Sequence, residues 1–337
     1  MNKNSLTIIN NEKIFKHNND FYCDNLDLKI IPEGLSDYYE IHYIVRNSNK
    51  KGNQKINLKN IKVAKNIFKF IYFIFKTFNI RKMNYLIISI TPYTFFSFLF
   101  LALFRKKVFV YIFSSGHEEY KRILGNWSVI IYHIMYKIVT SNSKVIVNHE
   151  RLFNKEKSFL ITSSRLNEKW LSNYKDVLLE KIKFLYVGRL NPEKGIYEFL
   201  EMFKKIKLEA EFSIVGDTQD QKHLNKNIKF LGYISDEQAL INVYDNHNIT
   251  ILPSFTEAFP YVVDESLSRK RPVIIFEEIS HVAKNKSGIF VSKRNIESFL
   301  ETTKYVMENY NKIQKDIEKN ILPTKKQMLE QITKILN

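Results

Sequence analysis

The segment FTEAFPYVVDESLSRKRPVI, residues 255–274, sets two carboxylates eight residues apart, Glu257 and Glu265, directly after the strand-like run ITILPS. Pro260 is well placed as the first residue of a helix, which puts Glu265 about one turn further on. If most of that span is helical at ~1.5 Å per residue, the two acids stand on the order of 10 Å apart along the axis. That is comparable to the separation of hexose and ribose across the diphosphate of a sugar nucleotide. Glu257 then accepts hydrogen bonds from sugar hydroxyls and Glu265 from a ribose diol, while amides near Tyr261 and Val262 face the phosphates and Phe259 lies in the same turn. The alternative is a helix-capping Glu257 and a surface Glu265, and spacing alone does not choose between them.

A second cluster has complementary charge. The run KFLYVGR leads into LNPEKG and an amphipathic helix expected over Ile196–Lys207, so Arg189 and Lys194 lie between strand end and helix start. Arg offers phosphate a planar fork, Lys a point charge, and the helix N-terminus a partial positive charge. Two solvated loop cations remain the other reading. His117, in SSGHEEY, follows the run VFVYIF and so sits at a strand's carboxyl end. It serves either a ligand or its own neighbourhood, bonded to an acid such as Glu118. His149, His223, His247 and His281 lack the spacing of a metal site and are read as structural or solvated.

Two alternating series of strands and helices position these groups. The first has strands near Leu6–Asn10, Glu40–Val45, Tyr85–Ile90, Val108–Phe113 and Lys144–Val147, with helices near Leu26–Tyr38, Leu58–Phe78, Thr94–Phe104 and Asn126–Thr140. The second follows the polar stretch Ser163–Lys181, with strand-like runs KFLYVGR, EFSIVGD, IKFLGY, ITILPS, PVIIF and GIFV. Asn295–Asn337 reads as helical with a break near Pro323. The expected architecture is α/β, two doubly wound domains facing a central cleft: residues 1–170, residues 171–310, and C-terminal helices 311–337 packing back toward the first.

The composition limits the function classes. With 337 residues, 45% of them hydrophobic, the chain can bury a sizeable core, which excludes a disordered or fibrous protein. A single cysteine, Cys23, excludes an internal disulfide framework and a cysteine-based zinc site and suits a reducing compartment. The opening residues lack a secretory pattern, giving a cytoplasmic expectation. The net charge of +17 is concentrated in residues 1–150, where 22 basic residues face 10 acidic ones. No acid occurs between Glu40 and Glu118, a span holding fourteen cations beside the apolar runs IFKFIYFIF and TFFSFLFLALF. That pattern suits peripheral docking on an anionic membrane surface at about 1 kcal/mol per basic side chain. Tyr85–Phe104 is about long enough to span a bilayer. Pro92 divides it, however, and strand, turn and helix is the better parse.

The ordered set GRLNPEKG, FSIVGD, IKFLGYIS, LPSFTEAFPYVVDESL, RPVI and SGIFV resembles the retaining glycosyltransferases of family 4 (glycosyl transferases group 1), specifically from about Lys183 to Val291. The resemblance implies the GT-B fold, a nucleotide-diphosphate-sugar donor in the second domain, an acceptor in the first, and neither metal nor other cofactor. By matching motif positions, Arg189 and Lys194 hold the diphosphate, Glu257 the transferred sugar and Glu265 the ribose. Tyr233 and Ile234 lie beside the base, and His117 contacts a hydroxyl near the reacting sugar. The implied reaction is front-face hexosyl or N-acetylhexosaminyl transfer with retention, to a saccharide or polyprenyl-linked acceptor, in bacterial surface polysaccharide synthesis at the inner face of the plasma membrane.

The chain departs from the family pattern at Ala258, Thr218 and around Lys270, where glycines are usual, and NNEKIFKHNN replaces a glycine-rich loop after the first strand. Two other classes fit parts of the sequence. A non-catalytic protein binding membrane surfaces or polyanions explains the charge but gives the two acids no role, and nucleic-acid signatures are not visible. A nucleotide-sugar epimerase of the same architecture also binds a diphosphate.

Overall fold

Short apolar runs bounded by polar turns become buried parallel strands when helices cover both sheet faces, because each strand then needs apolar residues on both sides. The computed structural model describes residues 3–113, 116–148, 150–177, 179–216, 226–257, 259–284 and 286–337. Ala258, Thr218, His149 and His223 lie outside the described residues, as does the Glu118 side chain. In chain order the elements begin with β1 (Ser5–His17), β2 (Asp20–Cys23), α1 (Asp27–Leu35), β3 (Glu40–Asn47), β4 (Gln54–Ile56), β5 (Ile61–Ala64) and α2 (Ile67–Lys76). They continue with β6 (Met83–Ile88), α3 (Pro92–Leu103), β7 (Val108–Ile112), α4 (Gly116–Leu124), α5 (Asn126–Ser141), β8 (Lys144–Val147) and β9 (Ser158–Leu160). The second series is β10 (Ile182–Val187), α6 (Ile196–Phe203), β11 (Ala210–Val215), β12 (Ile228–Gly232), α7 (Glu237–Asp245) and β13 (Ile249–Leu252). After it come α8 (Tyr261–Ser268), β14 (Val273–Phe276), β15 (Ile289–Ser292), α9 (Ile296–Glu308), α10 (Tyr310–Ile317) and α11 (Lys325–Leu336).

The chain divides into Met1–Ser163 with Lys326–Asn337, and Ser164–Lys325. These divisions differ from the expected 170/171 and 310/311. Residues 311–325 stay with the second unit, because Tyr310, Ile313 and Ile317 are buried in its core. Only α11 joins the first unit, where Met328, Leu329, Ile332 and Leu336 are buried beside α1. Gly34 permits that packing, since a Cβ there would collide with Leu329.

In the first unit β3, β6, β7, β8 and β9 extend a parallel sheet around β1, with β5 on its β3 edge. Alternate residues of its strands point to opposite faces. Leu86, Ile88, Phe109 and Tyr111 meet α1 and α11, whereas Tyr85, Ile87, Val108 and Val110 meet α2, α3 and α5. Pro92 opens α3 with a capping box between Thr91 and Thr94, as the division of Tyr85–Phe104 into strand and helix required. Among the described residues no helix is long and apolar enough to cross a membrane.

Two expectations fail here. The helix expected over Leu58–Phe78 is strand β5 followed by α2, because Asn66 caps the helix and leaves IKVA to pair with β3. The segment NNEKIFKHNN is not a loop: β1 runs on to His17, turns at Asn18 (φ +52) and pairs antiparallel with β2.

The second unit holds six parallel strands in the order β12-β11-β10-β13-β14-β15. Strand order therefore reverses between β10 and β13. In such sheets ligands bind beyond the carboxyl ends of the strands at that switch point. Lys270, where a glycine was expected, still adopts the left-handed conformation (φ +58). Its N–H reaches the Leu267 carbonyl and that of Arg271 the Ser266 carbonyl, the double bond of a Schellman helix end.

The same turn buries two arginines. Arg269 spends all five donors: two on Asp245 (2.8 and 2.9 Å), and three on the carbonyls of Trp170, Ser172 and Asn173. Arg271 binds the carbonyls of His247, Arg269, Lys175 and Asp245. Together they fasten the segment 170–175 to the sheet. Arg269→Ala removes both hydrogen bonds to the buried Asp245 carboxylate and leaves it only the Arg271 guanidinium at 3.9 Å, which should destabilise the protein by about 3 kcal/mol or more. Urea unfolding measures this, and a loss near the range of surface substitutions would contradict the assignment.

Candidate functional site

Two loops leave the carboxyl edge of the second sheet on either side of its switch point: residues 188–195 after β10, and 253–260 after β13. Their backbones are joined directly. The Phe255 N–H donates to the Glu193 carbonyl at 3.0 Å, and Arg294 donates to the Pro253 carbonyl at 3.0 Å. Gly195 packs against that same carbonyl in the left-handed conformation (φ +61), where a Cβ would strike the Pro253 oxygen. No other residue type combines that dihedral with that approach.

This junction brings Lys194 and Glu257 together. The Lys194 ammonium lies 2.7 Å from Glu257 Oε1, which also accepts from Ser254 Oγ at 2.7 Å. His281 contacts the Glu257 carbonyl through Nε2 at 2.9 Å, fixing the loop from the other side. The Tyr186 phenol beneath donates to the Arg189 carbonyl at 2.6 Å. Burial and then the Glu257 charge push its pKa up, keeping it a donor. Lys194 is thus no freely solvated cation. Arg189 has an exposed side chain, and it is its backbone, not its guanidinium, that is tied down.

Pro260 occupies the N-cap of α8 rather than its first turn, and no side chain caps the helix. A capping role for Glu257 is therefore excluded. The helix begins only at Tyr261, after Phe259 and Pro260, so it supplies only part of the spacing between the two acids. The first-turn amides of Tyr261 and Val262 carry the positive end of the helix dipole. The Arg165 guanidinium stacks on the Tyr261 ring at 4.0 Å, and Phe259 packs edge-on against Tyr261 at 5.6 Å.

Glu265 is not a surface acid; it is 7% exposed and accepts from the Tyr244 hydroxyl at 2.9 Å. Burial raises its pKa, opposed chiefly by the positive charge of Arg165. Its neighbour Asp264 is buried on another side of the helix and paired with Lys286; burial raises this carboxyl as well. Ile234 packs with Trp170 and Tyr244, while Tyr233 is exposed after β12.

Lys194, Glu257 and the start of α8 thus meet in one unit, and Glu265 lies one turn inside. Sequence reasoning missed Ser254, His281, Arg294, Arg165 and Tyr244. Ser254 lies inside the LPSFTEAFPYVVDESL segment but has no role by residue type alone; the other four stand outside the quoted motifs, and only the fold brings them close. His117 belongs to the first unit and begins α4 beyond β7, its Nε2 3.3 Å from His133 Nδ1 and its ring between Tyr132 and Tyr136. Among the described residues no group of three His, Cys, Asp or Glu is arranged to hold a metal ion.

Residues 171–322 match the family model described as Glycosyl transferases group 1, a segment containing both loops, α8 and Glu265. The chain is 29% identical over 192 residues to the capsular polysaccharide biosynthesis glycosyltransferase CapM of Staphylococcus aureus, covering 50% of this chain and 48% of that one. It is 23% identical over 144 residues to the N,N'-diacetylbacillosaminyl-diphospho-undecaprenol alpha-1,3-N-acetylgalactosaminyltransferase of Campylobacter jejuni subsp. jejuni serotype O:2, covering 40% and 38%. The chain spans about half the length, or less, of these relatives. Among solved structures, Anabaena Alr3699/HepE in complex with UDP superposes with a TM-score of 0.71 at 11% identity, covering 98% of this chain and 99% of that one. The fold is GT-B, with two Rossmann-like units, and the resemblance to glycosyl transferases group 1 holds.

Two predictions follow from the geometry. Gly195→Ala forces backbone strain and a collision at Pro253 and should cost about 1–3 kcal/mol; an unchanged denaturation midpoint would contradict the junction. Because the folded state raises the Glu265 pKa, the folded protein binds this proton more tightly than the unfolded chain. Glu265 then lowers stability as pH rises from its ordinary value, near 4.5, through its raised folded value. Glu265→Gln should remove that fall, and identical stability–pH curves for the two proteins would count against it.

Proposed function

We propose that the protein is a retaining glycosyltransferase that moves a hexosyl or N-acetylhexosaminyl group from a nucleoside diphosphate sugar to a saccharide or polyprenyl-linked acceptor. The observation that carries this reading is the Lys194–Glu257 pair, held beside the uncapped start of α8 at the switch point of the second sheet. A cation, a carboxylate and a helix N-terminus so arranged match a diphosphate joined to a sugar. The group 1 match over the same residues supports it, as does a structural neighbour whose crystals contain UDP. The capsular and undecaprenol-linked relatives support a role in bacterial surface polysaccharide synthesis.

In this reading the donor diphosphate takes its charge compensation from Lys194, from Arg189 reaching in from solvent, and from the first-turn amides of Tyr261 and Val262. Phe259 packs on Tyr261 beside them. The chain itself supplies these charges, with no metal required. Glu257, partly relieved of Lys194 when phosphate arrives, accepts from hydroxyls of the transferred sugar. Glu265 receives the ribose through the environment shared with Tyr244, and Tyr233 and Ile234 flank the base. As the bond to the anomeric carbon breaks, negative charge moves onto the leaving diphosphate. Fixed donors stabilise that charge without reorganisation.

The acceptor hydroxyl attacks from the face the diphosphate leaves and gives its proton to the departing phosphate oxygen, which retains configuration. In this reading positioning and electrostatics carry the rate. A membrane-borne acceptor places the enzyme at the inner face of the plasma membrane, bound peripherally.

Arg189→Ala should weaken binding of a nucleoside diphosphate by about 1.5–3 kcal/mol in calorimetry while leaving the thermal midpoint unchanged, since only its exposed guanidinium is removed. Glu257→Gln should keep that affinity and lose transfer. Equal affinity in Arg189→Ala, or lost nucleotide binding in Glu257→Gln, would overturn the division of roles. Conversion of a nucleotide sugar without any acceptor would identify an epimerase instead.

A further inference from the structure

Helix α5 is apolar on both of its faces. Tyr132, Met135 and Val139 are buried in the core of the first unit. Trp127, Ile130, Ile131, Ile134 and Ile138, at helical spacing on the opposite side, stand in solvent, with Trp127 61% and Ile130 66% exposed. An exposed apolar stripe of this length, on the side of the helix away from its buried face, needs a covering partner.

The exposed stripe does not stop at α5. Helix α3 contacts both α5 and α2. Its outer side carries Phe96, Leu99 and Leu103, the last 76% exposed. On α2 the outer side carries Phe68, Tyr72 and Phe75, with Phe68 83% exposed. The inner residues of all three helices lie in one core cluster on one face of the sheet, so their outer sides share a surface.

Charge identifies the occupant. None of the three helices contains Asp or Glu, and between Ile41 and His149 eighteen Lys and Arg face only Glu118 and Glu119. Lys69 and Lys76 lie against the Tyr72 ring at the edge of the stripe. Lys62, Tyr72, Lys76 and His42 line a cavity of about 340 Å3 beside α2, open to an anionic headgroup. A second copy of the chain is a poor occupant, because the same face on both sides would set cations against cations.

We propose that the outer faces of α2, α3 and α5 form one surface that enters the interface of an anionic bilayer, with Trp127 of α5 as its aromatic anchor. This deepens the membrane-borne acceptor of the proposed function and rests on that reading. It differs from purely electrostatic docking in that apolar side chains enter the bilayer. No described helix can span the bilayer, so the surface lies in the interfacial plane, where Trp is favoured.

The chain has two tryptophans, and the second, Trp170, is buried in the other unit. Vesicles of phosphatidylglycerol and phosphatidylcholine brominated on the acyl chains should quench the emission of the full chain. In Trp127→Phe the remaining emission should be unquenched although the protein still sediments with the vesicles. Ile130→Ser with Ile134→Ser should lower vesicle partitioning by about tenfold or more with unchanged circular dichroism, since both side chains are exposed. Salt near 1 M should weaken the contact and leave residual quenching, because screening acts on the cations only.

Complete release by salt, or unquenched Trp127 on sedimented protein, would overturn insertion. Concentration-dependent burial of Trp127 without lipid would assign the face to a second copy instead. Transfer to a soluble acceptor analogue, measured in the same variants, separates the two readings. Persisting transfer without vesicle contact sinks the docking surface alone, and quenching without transfer from any nucleotide sugar sinks the proposed function alone.

Discussion

The closest constraint on the second unit is the contact of the Gly195 backbone with the Pro253 carbonyl. A parallel sheet delivers both loops to the same edge, but adjacency does not bring their side chains into register. That depends on one residue without a Cβ in a left-handed conformation, and on the Phe255–Glu193 backbone bond beside it. Once the two backbones touch, Lys194 and Glu257 are neighbours and the start of α8 lies directly after them. The ion pair is then a consequence of backbone geometry. Each partner satisfies the other, so neither charge is left bare in a largely buried setting.

A second layer keeps that edge rigid. Arg269 and Arg271 close the far end of α8 by binding Asp245 and a row of carbonyls, while Ser254, His281 and Arg294 brace the loop before it. Helix α8 is therefore held at both ends, and its buried acids, Asp264 and Glu265, are fixed by Lys286 and Tyr244. A site whose groups are positioned by packing and by bonds to backbone needs little rearrangement to meet a developing charge.

Much of this was legible in the sequence, for physical reasons. Short apolar runs such as KFLYV and PVIIF, rich in β-branched and aromatic residues and bounded by turn residues, read as buried parallel strands, and the polar loops after them carry the cations and carboxylates at fixed offsets. Other features depend on context. β5 is too short to show periodicity, and β1 outlasts its apolar run because β2 pairs with it. The family pattern marks the Lys270 region as one where glycine is usual, but the lysine itself does not show that the left-handed helix end is kept, as its bonded turn shows it is. Two arginines in RKRPVI look like surface charge until Asp245 and the carbonyls of 170–175 are seen around them. Similarly, the outer stripe of α5 reads as core, because apolar composition does not distinguish a face turned inward from one turned out.

The central claim is that the donor diphosphate lies between Lys194 and the first turn of α8. A crystal structure of the chain soaked with a nucleoside diphosphate tests it most directly. The account predicts phosphate oxygens within hydrogen-bond distance of Lys194 Nζ and of the Tyr261 and Val262 amides, with the Glu257 carboxylate shifted from the ammonium toward the sugar position. A diphosphate bound elsewhere, with the Lys194–Glu257 pair unchanged, would contradict it.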